Sequence, residues 1–420
     1  MNTLALAAGT GSSVVIQSCQ ICANSNLESI LFIGYMPPVN KMRKIGEVPV
    51  EQPSYPANLL YCSKCELVQL GLSIDPQVLF PPDYPYTSGT TQILRDNFAD
   101  LHRECCDFLR LGANDLIVDI GSNDGTLLSN FASHGHRVLG IEPTEVGKIA
   151  IARDIPTVSR YFRPEIAREI CAEYGTAQVV TSTNCFAHIE DVHAIVEGIL
   201  GLLSEKGLFI SESHYLIGLL DRLQYDTIYH EHLRYYSLHS LKYLLEMHGL
   251  EVIDAHPIPT HGGSIRVFAA RKGAYPIKPS VGLMLASEPS GAAMRQRMEK
   301  FRREVMLSKL RLLSLLRDAK EKGARVCGIS APSRSSTLVN YVGLDDSIVD
   351  YVAEVDGSLK IGKYVPGTVI PVIEETHLFG NQPDYALMFS WHIADELISK
   401  LRKRGYKGKF ILPLPEPRIV

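Results

Sequence analysis

Short apolar runs alternate with longer amphipathic stretches through the middle of the chain, between about residues 90 and 260. An apolar run at 116–120 leads into glycines at 121 and 125, and a helical pattern follows at 126–133. Comparable apolar runs occur at 137–141, 178–181 and 207–212. Because strands that alternate with helices form mainly parallel sheets covered on both faces, this pattern predicts an α/β fold.

The same alternation returns in the last third of the chain. Strands are predicted at 325–329, 348–355, 385–389 and 409–412. The polar segment at 330–336 is predicted to be a strand-to-helix loop, with a helix that begins near Thr337. This region therefore indicates a second α/β domain.

A long helix is predicted at about 290–322, ahead of this second domain. Met298, Phe301, Val305 and Leu312 form one apolar stripe, and positions 295–322 hold ten lysines or arginines against four acidic residues. A basic amphipathic helix can lie on a membrane, but such a helix more often packs between domains with its charged face in water. We therefore predict an interdomain helix.

Two C-x2-C pairs, Cys19 with Cys22 and Cys62 with Cys65, are the main feature of the first 80 residues. The segment around them is short and rich in glycine and proline, so it would struggle to bury a core without help. Four thiolates can surround one zinc ion, whose binding supplies folding energy. We predict one closed, structural zinc site, with two unrelated cysteine pairs as the alternative.

Composition narrows the class of protein. The 420 residues are 45% hydrophobic and carry a formal net charge of −4, which offers no overall basic field for nucleic acid or an anionic membrane. No apolar run approaches the ~20 residues needed to span a bilayer, and the first residues lack the basic region of a secretory signal. The nine cysteines are an odd number, which argues against a disulfide framework. We expect a soluble cytoplasmic protein.

The loop after the run at 116–120 has the position of a cofactor site. In an open parallel sheet, ligands bind beyond the carboxyl ends of the strands, and Glu142 follows Gly121 by the spacing that suits a carboxylate on a ribose. Asp124 would repel a pyrophosphate, so S-adenosylmethionine (AdoMet), which carries a sulfonium and an amino group, fits better. The predicted cofactor contacts are Asp119, Gly121, Ser122, Asn123, Gly125, Glu142 and Asn184.

Four motifs resemble the sugar C-methyltransferases of deoxysugar pathways. They are VDIGSNDGTL at 118–127, YDTIYHEH at 225–232, HGGSIR at 261–266 and YVPGT at 364–368. The resemblance covers essentially the whole chain in order. It implies a zinc-binding module at 1–80, a Rossmann-like AdoMet methyltransferase domain at 81–260 and a Rossmann-like domain at 261–420 that contacts a nucleotide sugar.

The resemblance also implies methyl transfer to a carbon beside a keto group, most simply C-3 of a 4-keto sugar. Such a carbon needs a base to remove its proton and donors for the enolate oxygen. His232 is predicted to be the base, with Tyr229 as the rival assignment, while His230 is expected to be structural. Tyr229 and His188 would hold or polarise the sugar oxygens, with Glu231 supporting, and Tyr84 would close the pocket. The alternative for any one of these residues is a place in a buried polar network.

The substrate implied by the resemblance is a nucleotide-linked keto sugar, a thymidine diphosphate sugar or else a guanosine diphosphate sugar, bound by a monomer. Its predicted contacts are Tyr86, Arg266, Arg334, Ser335 and Ser336. The chain departs from its relatives at 332–337, where PSRSST replaces PAKGNT, and at Ser213 and His214, which replace a segment containing proline. Because of these departures, the sequence does not identify the nucleobase, the sugar or the functional groups of the substrate.

Two other functions remain possible from the sequence. An O- or N-methyltransferase acting on a small metabolite would use a heteroatom nucleophile and would exchange no carbon-bound proton. A non-catalytic zinc-ribbon adaptor that binds nucleic acid is disfavoured by the acidic net charge and by the lack of a basic, aromatic-lined face near the cysteines.

Overall fold

The computed structural model describes residues 13–48, 51–80 and 87–420, and a small antiparallel sheet organises the N-terminal part. Strands β2, β3 and β4 form a meander, while β1 pairs with β5. The meander carries one cysteine pair at the end of β3 and just beyond it, and the other ahead of β2. The elements are β1 (Val14–Val15), β2 (Leu27–Met36), β3 (Tyr55–Cys62), β4 (Leu67–Leu70), β5 (Leu72–Ser73) and α1 (Pro76–Leu79).

A seven-stranded sheet forms the centre of the molecule, in the order β12-β13-β10-β9-β6-β7-β8. Strands β6 to β10 are parallel, and β13 runs antiparallel between β10 and β12. The elements are α2 (Gln92–Phe108), β6 (Leu116–Ile120), α3 (Thr126–Ala132), β7 (Arg137–Ile141), α4 (Gly147–Ile151), β8 (Thr157–Val158), α5 (Pro164–Tyr174), β9 (Ala177–Thr183), α6 (Val192–Leu202), β10 (Leu203–His214), α7 (Leu216–Asp221), β11 (Arg234–Tyr235), α8 (Leu238–Met247), β12 (Leu250–Ile258) and β13 (Ser264–Arg271).

Strand β6 shows why the strands of this sheet have continuous apolar sequences. Leu116, Val118 and Ile120 belong to one hydrophobic cluster, whereas Ile117 belongs to a separate cluster on the other face. Both faces are covered, so every position of the strand is buried. The strands predicted at 116–120 and 137–141 have the predicted bounds, whereas those predicted at 178–181 and 207–212 are longer in the structure.

The central sheet extends beyond residue 260. Strand β13 pairs along its length with both β10 and β12. The boundary predicted between residues 260 and 261 therefore falls between two paired strands of one sheet, because the sheet continues to Arg271.

A second seven-stranded sheet forms the C-terminal part, in the order β16-β17-β15-β14-β18-β19-β20. Its five inner strands are parallel, and its two edge strands are antiparallel. The elements are α9 (Pro279–Ser287), α10 (Gly291–Lys320), β14 (Val326–Ile329), α11 (Ser333–Val342), β15 (Val352–Glu354), β16 (Lys363–Tyr364), β17 (Pro371–Glu374), α12 (His377–Gly380), β18 (Tyr385–Met388), α13 (Ala394–Lys403), β19 (Lys409–Leu412) and β20 (Arg418–Ile419).

Helix α11 begins earlier than the sequence predicts. The polar segment at 330–336 was expected to be a loop, but the backbone becomes helical at Ser333, directly after the extended Pro332. A proline at the cap position sets the extended backbone from which a helix can start. Arg334, Ser335 and Ser336 therefore lie in the first turn of α11 and are buried.

Helix α10 joins the three parts of the chain, as the interdomain prediction requires. All four residues of its predicted stripe are buried. Arg295 pairs with Glu28 of β2, Arg297 pairs with Asp221 of α7, and Lys309 donates to the carbonyl of Tyr341 on α11. Within the described ranges, no helix has the length and apolar character that crossing a bilayer requires.

Candidate active site

The carboxyl ends of the two large sheets face each other, and the junction between them, lined by buried side chains, is termed the cleft. Strand β10 ends at His214, and the short helical turn at Thr260–Gly262 lies next to it. From the other sheet, strand β18 leads into the turn Trp391–Ile393. Arg334 bridges the two sides, because it contacts Asp226 and the carbonyl of His261 on one side and His392 on the other. In doubly wound sheets, this is the edge at which ligands bind.

The predicted cofactor loop makes a tight turn at the end of β6. Gly121 and Gly125 both have a φ of 76°, which favours glycine. A Cβ atom at Gly121 would lie 2.5 Å from Cys185 Sγ, so the loop also needs glycine for space. The backbone of Ser88 donates to Asn123 Oδ1 (2.8 Å), which ties the connector from the N-terminal part to this loop.

Acidic groups surround the loop. Glu142 accepts bonds from the backbone and hydroxyl of Thr144 (2.9 and 2.7 Å) and from the backbone of Asn123 (3.1 Å). A carboxylate has about four acceptor sites, so Glu142 retains capacity for a further donor such as a ribose hydroxyl. Burial, together with Glu142 and Glu212, raises the pKa of Asp119 to about 7. The remaining acceptor site of Glu142 suits the hydroxyl and amino groups of a cofactor such as AdoMet better than a pyrophosphate.

Two unsatisfied polar atoms support the same cofactor. Asn184 Oδ1 and Ser122 Oγ are buried without a hydrogen-bond partner in the protein. Buried polar groups are normally paired, so atoms of this kind at a strand end indicate a ligand or water. AdoMet, with its amino group, ribose and sulfonium, fits the glycine turn, the carboxylates and these two acceptors.

His232 is held with one ring nitrogen bonded and the other available. Its Nδ1 lies 2.8 Å from the carbonyl oxygen of Thr227 and must donate to it, because a carbonyl can only accept. Nε2 then carries the lone pair in the neutral ring. Only 5% of the residue's surface is exposed. This is the state that a general base requires.

An aromatic cluster surrounds His232. The ring centroid of Tyr229 lies 4.1 Å from that of His232, and those of His214 and His188 lie at 4.8 and 5.0 Å. His261 stacks on His214 with the centroids 5.5 Å apart. The structure thus brings together the predicted residues His232, Tyr229 and His188, and it adds two further histidines.

The cluster is electrostatically neutral at physiological pH. Burial lowers the pKa of His188 and of His261 to about 4, with Arg234 and Arg334 respectively as a nearby positive charge. Burial, followed by the neighbouring His188, lowers the pKa of His232 well below 6.5. Every such ring can therefore accept or donate a hydrogen bond without carrying a charge.

Glu231 links the three parts of the chain through Asn40. Asn40, from the N-terminal part, donates to Glu231 Oε1 (2.7 Å). The hydroxyl of Ser333, at the start of α11, donates to Asn40 Oδ1 (3.1 Å). The neighbouring His230 bonds to the carbonyl of Pro56 (3.2 Å), which is the structural role predicted for it.

Arg334 is occupied by partners inside the protein. Its guanidinium pairs with Asp226, with Nε 2.8 Å from Oδ2, and it lies over the ring of Trp391. It also donates to Gln224 Oε1 (3.2 Å) and to His392 Nδ1 (3.0 Å). Arg334 was predicted to contact a diphosphate. In the structure, the positive charge of its guanidinium is already balanced by the buried carboxylate of Asp226.

The other predicted substrate contacts are also bonded internally. Arg266 is 1% exposed and bonds to Glu212, Glu104 and Asn97, which fastens α2 to the sheet. Ser335 donates to the carbonyl of Pro332, and Ser336 accepts from Asn340. The early start of α11 and the pairing of β13 bury these side chains, so they do not face an open surface. Tyr84 and Tyr86 lie outside the described residues.

The four predicted zinc ligands converge. Cys19 Sγ lies 3.4 Å from Cys65 Sγ, and Cys22 Sγ lies 3.4 Å from Cys62 Sγ. All four sulfur atoms lie within 4.8 Å of one another. Thiolates around tetrahedral zinc, with Zn–S bonds of about 2.3 Å, are separated by about 3.8 Å, so the donor set fits this ion.

Sequence reasoning missed His392 and Asp226. His392 follows Trp391, the single tryptophan of the chain, shortly after the predicted strand at 385–389. Its place near the carboxyl end of a strand could have marked it as a candidate site residue. Asp226 lies inside the motif at 225–232, but its partner Arg334 is more than one hundred residues away. Contacts of this range cannot be read from local pattern.

Comparisons with known proteins agree with this arrangement. Residues 19–80 match a zinc binding domain, 94–255 a methyltransferase domain and 259–415 the C-methyltransferase C-terminal domain. The chain is 34% identical over 409 residues to the C-methyltransferase NovU of Streptomyces niveus, covering 96% of this chain and 97% of that protein.

Solved structures similar to the chain include the PH0226 protein of Pyrococcus horikoshii OT3. It is 15% identical, has a TM-score of 0.37, and the match covers 47% of this chain and 97% of that one. Another is magnesium protoporphyrin IX methyltransferase of Synechocystis PCC 6803, which is 14% identical with a TM-score of 0.33. That match covers 42% of this chain and 79% of the other.

Proposed function

We propose, from the fact that the chain belongs to the C-methyltransferase family, that it methylates the carbon beside the keto group of a nucleotide-linked 4-keto-deoxysugar. The enzyme depends on AdoMet and carries a zinc-binding domain. The proposal concerns the acceptor, its reacting carbon (C-3) and the enolate route. The observation that supports the enolate route is the fixed orientation and neutral charge of the His232 ring.

AdoMet, when bound, supplies a methyl group on a sulfonium sulfur, and the sulfur keeps the electron pair of the broken carbon–sulfur bond. A carbon acceptor is a poor nucleophile until it loses the proton beside its carbonyl group. The tasks of the protein are to remove that proton, to stabilise the enolate oxygen and to hold the carbon in line with the methyl group.

His232 is suited to the first task. Its Nδ1–H is bound to the carbonyl of Thr227, so Nε2 presents a lone pair among the rings of Tyr229, His188 and His214. Because burial keeps the ring neutral, it can accept the proton without first losing one. After methyl transfer, the imidazolium returns the proton to solvent and the ring regains its neutral state.

The neighbouring groups are suited to the second task. The phenol of Tyr229 and the neutral ring of His188 are donors that can face the oxygen on which the enolate charge develops. Tyr229 is also the rival base. Glu231 fixes the segment that carries His232 through its bond to Asn40.

The nucleotide part of the substrate is proposed to lie between the carboxyl edges of the two sheets, against α11 and the turn that holds His392. We retain thymidine diphosphate as the first candidate and guanosine diphosphate as the second. A monomer is proposed, because the cleft is built from parts of a single chain. None of the nine cysteines, all of which lie in the described ranges, forms a disulfide, and four of them converge as zinc ligands, which supports a reducing compartment such as the cytoplasm.

The proposal is tested with the purified enzyme, AdoMet and a panel of thymidine and guanosine diphosphate 4-keto sugars in deuterated water. We expect a product heavier by one methyl group with a keto sugar nucleotide. We also expect deuterium at the same carbon when AdoMet is replaced by its demethylated product. The exchange reports proton removal separately from methyl transfer.

Two outcomes would contradict the proposal. Methylation on oxygen or nitrogen without exchange would identify a heteroatom methyltransferase. Consumption of AdoMet with 4-hydroxy sugar nucleotides, which have no acidic proton beside a carbonyl, would remove the need for a base. A matched panel of keto and reduced sugars on the same nucleotide separates these cases.

A further inference from the structure

A second cluster of metal-ligating side chains lies far from the four cysteines of the zinc module. It consists of His102, Cys106 and His136, whose ligand atoms all lie within 4.8 Å of one another. His102 and Cys106 lie one helical turn apart on α2, and His136 immediately precedes β7. Positions i and i+4 share one face of a helix, so both can bind the same ion.

The spacing of the donor atoms fits a metal ion. Cys106 Sγ lies 3.6 Å from His102 Nε2. Sulfur and nitrogen ligands at about 2.3 and 2.0 Å from tetrahedral zinc are separated by about 3.5 Å. The pair therefore already has the separation that a shared ion would impose.

His136 is oriented in the manner of a metal ligand. Its Nδ1 lies 3.1 Å from the carbonyl oxygen of Gly112 and donates to it. This bond fixes the tautomer and leaves Nε2 as the lone-pair nitrogen. Metal-binding histidines commonly donate their other ring nitrogen to a backbone carbonyl or carboxylate in this way. His134 packs on His102 with the ring centroids 4.2 Å apart, and its Nδ1 is similarly engaged by the carbonyl of Asn130.

The cluster lies on the edge of the central sheet opposite the cofactor loop. Gly112 precedes β6 and His136 precedes β7, so both lie at the amino ends of these strands. The glycine turn and Glu142 follow the carboxyl ends of the same two strands. The thiol of Cys106 is exposed, and an ion can reach it from solvent without passing through the active site.

We propose that His102, Cys106 and His136 form a second metal site, which binds zinc or a similar borderline divalent ion. Two imidazoles and one thiolate suit zinc, cobalt and nickel better than magnesium or calcium, which prefer oxygen. Three protein ligands leave one position for water. The ion would clamp the C-terminal half of α2 to the turn before β7, while the other half of α2 bonds to Glu212 through Asn97.

The test uses the full-length enzyme with zinc in its four-cysteine site. One portion is dialysed against buffered zinc and its metal content is measured, while a second portion, treated with a mild chelator until one zinc per chain remains, is titrated with Co²⁺. We expect two zinc ions per chain, and we expect cobalt to give a thiolate charge-transfer band and visible bands. Cys106→Ser should retain one zinc and weaken cobalt binding by at least about 100-fold, since one of three protein ligands is lost. His136→Gln should have a similar effect.

Two control variants define the site. Cys171→Ser removes a half-buried thiol on α5 and should retain both ions, as should His134→Gln, which removes a neighbour that is not one of the three ligands. The melting temperature should rise with zinc concentration in the parent enzyme but not in Cys106→Ser. A parent enzyme that holds one zinc and gives no additional cobalt–thiolate band would overturn the proposal. Equal cobalt affinity in Cys106→Ser would also do so.

Discussion

At the scale of single residues, a backbone carbonyl rather than a carboxylate orients His232. In many catalytic histidines an acidic partner also stabilises the protonated ring, but here the partner of Nδ1 is the neutral carbonyl of Thr227. The ring therefore gains orientation without a counter-charge. Its proton affinity stays low, because burial and the neighbouring His188 both disfavour the cation. A base of this low proton affinity suits the proposed substrate, in which a keto group already activates the carbon acid.

His232→Asn is expected to abolish turnover while AdoMet still binds. The asparagine amide can donate to the Thr227 carbonyl in place of Nδ1–H, so the loop keeps its bond but loses the basic nitrogen. We expect kcat to fall by at least about 100-fold, the lower end of what a general base contributes. AdoMet affinity, measured by calorimetry, should change little.

Tyr229→Phe is the companion variant. It should slow both methyl transfer and solvent exchange at the substrate carbon without abolishing either, because in the proposed mechanism the phenol stabilises the enolate oxygen and does not take the proton. Loss of exchange in Tyr229→Phe, with exchange preserved in His232→Asn, would transfer the role of base to Tyr229.

The pH dependence of kcat/KM should show one acid limb, with a pKa below 6.5. As the proposed base, His232 would act only when unprotonated, and burial lowers its pKa in the folded enzyme, so the rate should be constant above about pH 6.5 and fall as the pH drops through the lowered value. Steady-state rates from about pH 5 to about pH 8 would define the limb. If the rate instead kept rising above pH 7, a phenol with a pKa near 10 would be the base.

At the scale of elements, short helical turns bring several side chains to the cleft. The turns Phe186–His188, Thr260–Gly262 and Trp391–Ile393 follow strands β9, β12 and β18 and carry His188, His261 and His392. The strands ahead of them are apolar runs, so sequence pattern predicts where each strand lies. The turns have no such periodicity, and their side chains are oriented by contacts with distant residues. The position of the cofactor loop was therefore predictable, whereas His392 and the true start of α11 were not.

Gly121→Ala should impair cofactor binding. The new Cβ would lie 2.5 Å from Cys185 Sγ at a φ of 76°, so both space and backbone conformation oppose it. We expect a stability loss of about 1–3 kcal/mol for the strained backbone, and an AdoMet affinity at least about tenfold weaker. Chemical denaturation and calorimetry measure the two effects.

Two further variants separate the steric clash of the new Cβ atom from the cost of the backbone conformation at position 121. Adding Cys185→Gly removes both side-chain atoms that the new Cβ would meet, Sγ at 2.5 Å and Cβ at 2.7 Å, and should restore part of the affinity, because the φ penalty at position 121 then remains. Gly282→Ala, on α9 with no atom within 4 Å of the new Cβ, should leave both affinity and stability intact or slightly improved. Unchanged AdoMet binding in Gly121→Ala would show that the cofactor lies elsewhere.

At the scale of the whole molecule, the segment from Gln224 to Tyr235 contacts every part of the chain. Asp226 pairs with Arg334 of the C-terminal part, His230 and Glu231 bond to the N-terminal part, and His232 faces the cleft of the central part. The three-part organisation was foreseeable from the cysteine pairs and the two alternating regions. Their mutual arrangement was not, because it depends on bonds between residues hundreds of positions apart.

Cys62→Ser should lose zinc and turnover but keep AdoMet binding. The zinc site stabilises the module that supplies Asn40 to Glu231 and the Pro56 carbonyl to His230, whereas the cofactor loop belongs to the central sheet. We expect loss of one zinc per chain and a fall in turnover of about tenfold or more, since a single well-oriented contact is worth about 1.4 kcal/mol. Metal analysis, calorimetry and product assay check the three statements.

Cys327→Ala serves as the matched control, because this thiol is buried in β14 and contacts no metal ligand. It should keep zinc and turnover even if stability drops. Full turnover in a Cys62→Ser enzyme proven free of that zinc would show that the module does not support the site.

The position of strand β11 in the sequence means that the N-terminal sheet is completed late in synthesis. Arg234 and Tyr235 pair with Gln69 and Val68, and Leu70 donates to the carbonyl of Leu233, so β11 covers one edge of the zinc sheet. On the ribosome, β4 is complete long before β11 emerges, and its unpaired backbone groups stay open to any other strand in the meantime. A fragment that ends at residue 80 retains that open edge permanently. The metal can gather four cysteines early, but the sheet around them closes only after most of the central part has been synthesised.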